Sequence, residues 1–98
     1  MYSIILSGLI PFQKVKEFRQ HMKQMSVRPE NQNFQMDVFQ DILYEDLFWV
    51  KMTFEDKKEM YLYMKSENYT MISGSFKALG ILRDQHIETF SDLNEKAE

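Results

Sequence analysis

Residues 47–54, Leu-Phe-Trp-Val-Lys-Met-Thr-Phe, constrain this chain more than any other stretch. Side chains alternate across a β-strand, so Phe48, Val50, Met52 and Phe54 share one face while Leu47, Trp49 and Lys51 share the other. A strand that is apolar on both faces needs cover on both, because a contiguous apolar patch is rarely left in water. The chain's 98 residues allow one small domain, which buries only about 60–65% of its unfolded surface. Its own helices can cover one side of a sheet; the other side needs a partner.

The flanking segments supply those helices. Tyr2 to Leu9 alternates as a strand, with Ile4 and Leu6 on one face and Ile5 on the other. Pro11 breaks the strand and can open a helix, where its missing N–H is unpaired anyway. Phe12, Val15, Phe18, Met22 and Met25 recur at spacings of three and four, predicting an amphipathic helix over about residues 12–26. Lys14, Lys16, Glu17, Arg19 and Lys23 fall outside its stripe, as a solvated face; His21 flanks it. After a polar loop from Arg28 to Asn33, Phe34, Met36 and Val38 alternate with Gln35 and Asp37 as a half-buried strand. A turn near residues 44–46 then leads into 47–54. Asp56 and Glu59 form a capping box, and Met60, Tyr63 and Met64 make the inner side of the helix that follows. Ser66 restarts that helix, and Tyr69, Ile72, Phe76 and Leu79 continue its stripe to Gly80, placed for a left-handed C-terminal cap. Ile81 to Phe90 reads as the last strand.

Strand, helix, strand, strand, helix, strand is the ferredoxin-like βαββαβ order. It is an α+β fold, a four-stranded antiparallel sheet with helices on one face. One domain spans residues 1–90, and the polar residues 91–98 read as a tail. The uncovered face, with Leu47, Trp49 and Ile5, predicts a homodimer joined through the open sheets, Leu47 and Trp49 being its contacts.

Composition narrows the partners. Twelve Lys and Arg against 15 Asp and Glu leave a net charge of −3, which argues against nucleic acid. With no Cys there is no disulfide framework, thiolate metal site or thiol nucleophile. The two His residues lack a ligand spacing, so no metal is expected. Three scattered Gly residues make no phosphate loop, so no nucleotide cofactor is expected either. Met1 to Ile10 lacks a basic flank and a cleavage site, and no run is long enough to span a membrane. The expectation is a cytoplasmic protein.

Ser26-Val27-Arg28-Pro29-Glu30 followed by Phe34 to Asp41 resembles the loop and second strand of antibiotic biosynthesis monooxygenase domains. Phe54-Glu55-Asp56 with Met60, Tyr63, Ser66 and Tyr69 resembles their third-strand end and second helix, and Ser73 to Gly80 the helical end before their last strand. The resemblance covers nearly the whole chain. It implies a dimeric α+β barrel, in which two sheets pack face to face and each subunit keeps a pocket between sheet and helices. It also implies cofactor-independent oxidation of a small aromatic or quinol, for which a protein need only deprotonate and position the substrate. An aromatic pocket with a base or hydrogen-bonding group suffices for that.

Phe54, Tyr69 and Phe76 are then the expected walls, with Ser7 as a polar contact and Arg83 at the mouth. Tyr63 and His86 are the candidate catalytic groups. Phe54 stands where the family often has Trp, and Tyr63 where it often has His. Haem-degrading members place Asn at the position of Ser7; without an imidazole at position 63 the usual proximal haem ligand is missing. Each residue also has a plainer reading: the aromatic stripe as core, His86 as a surface or dimer residue, and Arg83 as the ion-pair partner of Asp84 or Glu88. An oxygen-independent isomerase and a non-catalytic, ligand-binding or stress-related dimer are the competing functions on the same fold.

Overall fold

The computed structural model describes residues 1–26 and 34–89. Strand β1 (Tyr2–Leu9) leads through a 3-10 turn at Phe12–Lys14 into helix α1 (Val15–Ser26). Strands β2 (Phe34–Gln40) and β3 (Leu47–Phe54) form a hairpin, followed by helices α2 (Lys57–Met64) and α3 (Glu67–Leu79) and strand β4 (Ile81–Thr89). The sheet is antiparallel throughout, in the order β2-β3-β1-β4. This is the βαββαβ arrangement, with its second helix divided at Ser66. The turn from Arg28 to Glu30 and the expected tail from Ser91 lie outside the described residues.

The central pair sets the architecture. All of β1 pairs with all of β3, from Tyr2 opposite Phe54 to Leu9 opposite Leu47. Directly paired residues share a face, so Ile4, Leu6, Phe48, Val50, Met52 and Phe54 all point to the helices and are buried. Phe18 of α1 packs on that surface, its ring 5.2 Å from Phe48 and 4.9 Å from Phe76 of α3. Among the described residues no helix is long and apolar enough to cross a membrane.

Local chemistry punctuates the chain much as its sequence suggests. Asp56 caps α2 by accepting from the Lys58 N–H at 2.9 Å, and the Ser66 hydroxyl accepts from the Tyr69 N–H at 3.2 Å to start α3. One Asp41 carboxylate oxygen accepts from the N–H groups of Leu43 and Tyr44 at 2.9 and 2.8 Å, which holds the β2–β3 turn.

Three expectations are corrected. Phe12 leaves the apolar stripe and is 88% exposed. Pro11 opens a 3-10 turn and not an α-helix, and the tighter winding swings Phe12 away from Val15 and Phe18. Gly80 adopts φ −164° and ψ −135°, which is extended and not left-handed. A glycine is needed there because a Cβ would run into the Leu9 carbonyl oxygen. Finally, Arg83 makes no ion pair with Asp84 or Glu88, because both carboxylates turn to His86.

Gly8 plays a similar part on the sheet. A Cβ there would meet the Phe76 ring and, at 2.5 Å, the Ile81 carbonyl oxygen, so the missing side chain is what lets α3 sit down on β1. Gly8→Ala should therefore overpack the core and lower stability by about 1–3 kcal/mol, read by chemical unfolding. An unchanged midpoint would show that Phe76 gives way without cost.

Candidate functional site

The helices do not cover the sheet evenly. Helix α2 lies over β1 and β3, and α3 over β1 and β4, which leaves β2 as the strand least roofed. Its inward residues Phe34, Met36, Val38 and Gln40 share a face with Phe54, Met52, Val50 and Phe48. The β3 set is buried, whereas Val38 is 40% exposed. Between this strip and α1 lies an open groove of about 350 Å³. Met36, Val38 and Phe48 form its sheet side and Met22 its helix side, with Arg19, Lys23 and Gln40 as polar groups.

Two hydrogen bonds organise the outer end. Arg19 donates from a terminal guanidinium nitrogen to Gln40 Oε1 at 2.7 Å, and Gln40 Nε2 donates to the Glu45 carbonyl at 2.7 Å. Beyond that bridge lies a second, larger cleft of about 680 Å³, lined by Ile10, Phe12, Val15, Leu43 and Tyr44, which shares Arg19 and Gln40 with the first.

At its other end the strip runs into an aromatic cluster. The Phe34 ring lies 5.0 Å from Phe54 and 4.4 Å from Tyr63, and Tyr63 stands edge-on to Tyr69 at 6.0 Å. Phe54, Tyr63 and Tyr69 therefore adjoin one another, packed within the core. Phe76 is set apart against Phe18, and all four are core residues as well as candidate walls. The two tyrosine hydroxyls differ. Asn68 Nδ2 donates to the Tyr63 hydroxyl at 2.8 Å. The Tyr69 hydroxyl is buried without a hydrogen-bond partner among the described residues. Burial raises the Tyr69 pKa, since a phenolate there would lose its hydration. Tyr69 is thus held as a neutral phenol, able to donate a hydrogen bond and unsuited to act as a base.

Two of the remaining candidates, Ser7 and His86, lie on the opposite face, and Arg83 lies at a break in the ladder. Ser7 pairs with Trp49 on one side and Asp84 on the other, which puts its side chain on the open face and away from Tyr63. His86, opposite Ile5, shares that face. Arg83 is the extra residue of a β-bulge: Ser7 pairs with Asp84 and Gly8 with Leu82, leaving Arg83 unmatched and exposed. The sheet thus separates Tyr63 from His86, and one chain does not bring the two together. Leu47 and Trp49 are half-buried on the open face, where Ile5, Phe39, Trp49 and Lys51 line a depression of about 370 Å³.

His86 is clamped on its own strand. Nδ1 lies 3.0 Å from Asp84 Oδ2 and Nε2 lies 3.1 Å from Glu88 Oε1. Only the imidazolium can donate from both nitrogens, so the hydrogen bond to Glu88, that to Asp84 and the two negative charges together raise the His86 pKa above 6.5. His21 serves the packing of the helices. The Ser75 hydroxyl donates to the Met71 carbonyl at 2.9 Å and takes His21 Nδ1 at 3.3 Å, which ties α1 to α3. Among the described residues no group of three His, Asp or Glu is placed to hold a metal ion.

No protein-family model and no curated protein matches this sequence. Solved structures do match. A crystal structure of an antibiotic biosynthesis monooxygenase aligns over 94% of this chain and 98% of its own, with a TM-score of 0.70 and 13% identity. The fold of this chain is the antibiotic biosynthesis monooxygenase fold. A provisionally named monooxygenase of the same kind from Deinococcus radiodurans aligns over 94% of this chain and 92% of its own, with a TM-score of 0.73 and 13% identity. A conserved protein from Methanosarcina mazei Go1 aligns over 89% and 87%, with a TM-score of 0.68 and 13% identity.

Within this monooxygenase fold the groove residues Arg19, Met22, Met36, Val38 and Gln40 are ones that sequence alone reads as core or solvated surface. The signal that reveals them is a mismatch of widths. The helical layer covers three strands, and the alternation at Phe34, Met36 and Val38 puts apolar side chains on a fourth.

The two tyrosines should respond oppositely to loss of the hydroxyl. Tyr63→Phe takes the acceptor from Asn68 and should cost about 1 kcal/mol, while Tyr69→Phe removes an unpaired buried group and should be neutral or stabilising. Unfolding curves of the pair check this; an equal loss in both would mean that the Tyr69 hydroxyl is bonded. His86 should titrate above 6.5 by NMR and fall back towards that value in Asp84→Asn and Glu88→Gln. Because the folded pKa is raised, its contribution to stability is complete below the unfolded value and is lost as pH rises through the folded one.

Proposed function

We propose that this chain is a cofactor-independent monooxygenase that oxidises a small aromatic molecule, such as a quinol, in the groove between sheet and helices. The observation that carries this reading is the groove on the helix side of β2. Its volume of about 350 Å³ and its apolar walls of Met22, Met36, Val38 and Phe48 suit a one- or two-ring molecule. The aromatic cluster at Phe34, Phe54 and Tyr63 continues the same strip.

The chemistry asks little of such a site. An electron-rich phenol or anthrone gives its proton to water and one electron to oxygen; the substrate radical and superoxide recombine, and the peroxide regains that proton to form a hydroperoxide. Loss of water leaves a new carbonyl, so one oxygen atom enters the product and the other departs as water. In this reading Tyr63 holds the substrate oxygen beside Phe54, the neutral Tyr69 phenol donates to it, and Phe76 backs the cluster. Ser7 and His86 face away and enter only through a second subunit, and Arg83 lies on the bulge outside the groove.

That second subunit is part of the proposal. Leu47, Trp49, Ile5 and Phe39 form an apolar strip on the face that no helix covers among the described residues. Packing it against its own copy makes the closed two-fold dimer.

A second reading, a dimer that binds aromatic molecules without turning them over, is favoured by the near-complete burial of Phe54, Tyr63, Tyr69 and Phe76. Oxygen uptake with a panel of quinols and naphthols, with chelator present, separates the two. The oxygenase reading expects one oxygen consumed per substrate, and uptake abolished in Val38→Trp, which fills the groove at a half-open position and should leave the unfolding temperature unchanged. Absent uptake with thermal stabilisation by the same naphthols points to the binder. Light scattering at micromolar concentration should give twice the chain mass; a monomer would sink the dimer.

A further inference from the structure

We infer that the groove between α1 and β2 selects aromatic molecules carrying a carboxylate, and that Arg19 is the residue that reads it. The inference rests on the reading that this groove holds an aromatic ligand, and adds the charge of that ligand. Three observations carry it. First, Arg19 sits where the two clefts meet, at the outer end of the Met22, Met36, Val38 and Phe48 walls. A ring lying among those side chains, its phenolic end towards the aromatic cluster, would present a substituent at its other end to the guanidinium.

Second, Arg19 is held in place by a neutral group. Its one side-chain hydrogen bond among the described residues goes to Gln40 Oε1 at 2.7 Å, and no carboxylate there is within ion-pair distance. A guanidinium carries five N–H donors in a planar fork, so a carboxylate can be taken by two parallel bonds while the Gln40 bond persists or yields. Gln40 is itself anchored to the Glu45 carbonyl, which fixes the direction of the fork.

Third, the groove's charges have one sign. Arg19 and Lys23 line it, and none of its lining residues is acidic. Glu45 and Asp46 line the larger cleft on the far side of the bridge. An anion in the groove therefore meets Arg19 with no lining carboxylate among the described residues, and one pushed through into the larger cleft meets two carboxylates. In a chain of net charge −3, a local cluster of this sign concentrates anionic ligands at one place.

The test compares 2-naphthoate with 2-naphthamide, which has the same shape and no charge, by calorimetry and by the methyl NMR signals of Met22 and Met36. The wild-type chain should bind the naphthoate about tenfold or more tightly than the amide, with both methionine signals moving. Arg19→Gln, at an exposed position, should keep the unfolding temperature and the amide affinity and lose the preference. Equal affinities in the wild type, a preference that survives Arg19→Gln, binding that leaves the two methyl signals still, or no binding of either compound would overturn the inference. Neither measurement needs turnover. A binder without oxygenase activity passes this test and fails oxygen uptake, while an oxygenase of neutral quinols does the reverse.

Discussion

The eight-residue pairing of β1 with β3 is the constraint on which the rest depends. Because the register runs from Tyr2 opposite Phe54 to Leu9 opposite Leu47, one parity places Ile4, Leu6, Val50 and Met52 under the helices. The same parity leaves Ile5, Trp49 and Leu47 outside. A slip by one residue would exchange the two sets, turning Ser3, Ser7 and Lys51 into the helix-side core built for Phe18 and Phe76. Gly8 sharpens the point, since only a residue with no side chain can lie at its place under the Phe76 ring.

That pairing explains both the closed and the open parts of the helix side. The central strands lie under α2 and α3 and fill completely. Edge strand β2 carries the same inward alternation, but past Phe34 the helices do not close over it, so Met36 and Val38 are only partly covered. The groove is where sheet width exceeds helical cover, and its polar groups are those that α1 and the β2–β3 turn bring to its margin.

The fold is legible in the chain because each element announces itself by a local rule. Alternation marks the strands, and Asp56 and Ser66 cap helices within three residues of themselves. What stays hidden depends on distant neighbours. Gly80 looks from sequence like a left-handed cap, yet its glycine answers to Leu9, on another strand. Tyr63, Tyr69 and Phe54 fall together because they share one side of the core. Ser7, His86 and Arg83 are grouped with them by resemblance, and only the strand register shows that the sheet stands between. Arg19 reads as one more position on a lysine-rich helix face, because nothing local tells a solvated arginine from one facing Gln40 across a groove.

The bulge at Arg83 has a consequence for solubility. A sheet of four strands has two edges, and an edge strand offers a row of unpaired backbone groups to any passing strand. On β4 the regular ladder is broken at Arg83, and beyond it Asp84, His86 and Glu88 stand in alternate positions as a charged row. A neighbouring strand could neither keep register across the break nor lie against that row without removing charges from water. The irregularity that takes Arg83 out of the ladder thus also shields the rim of the sheet from runaway strand addition.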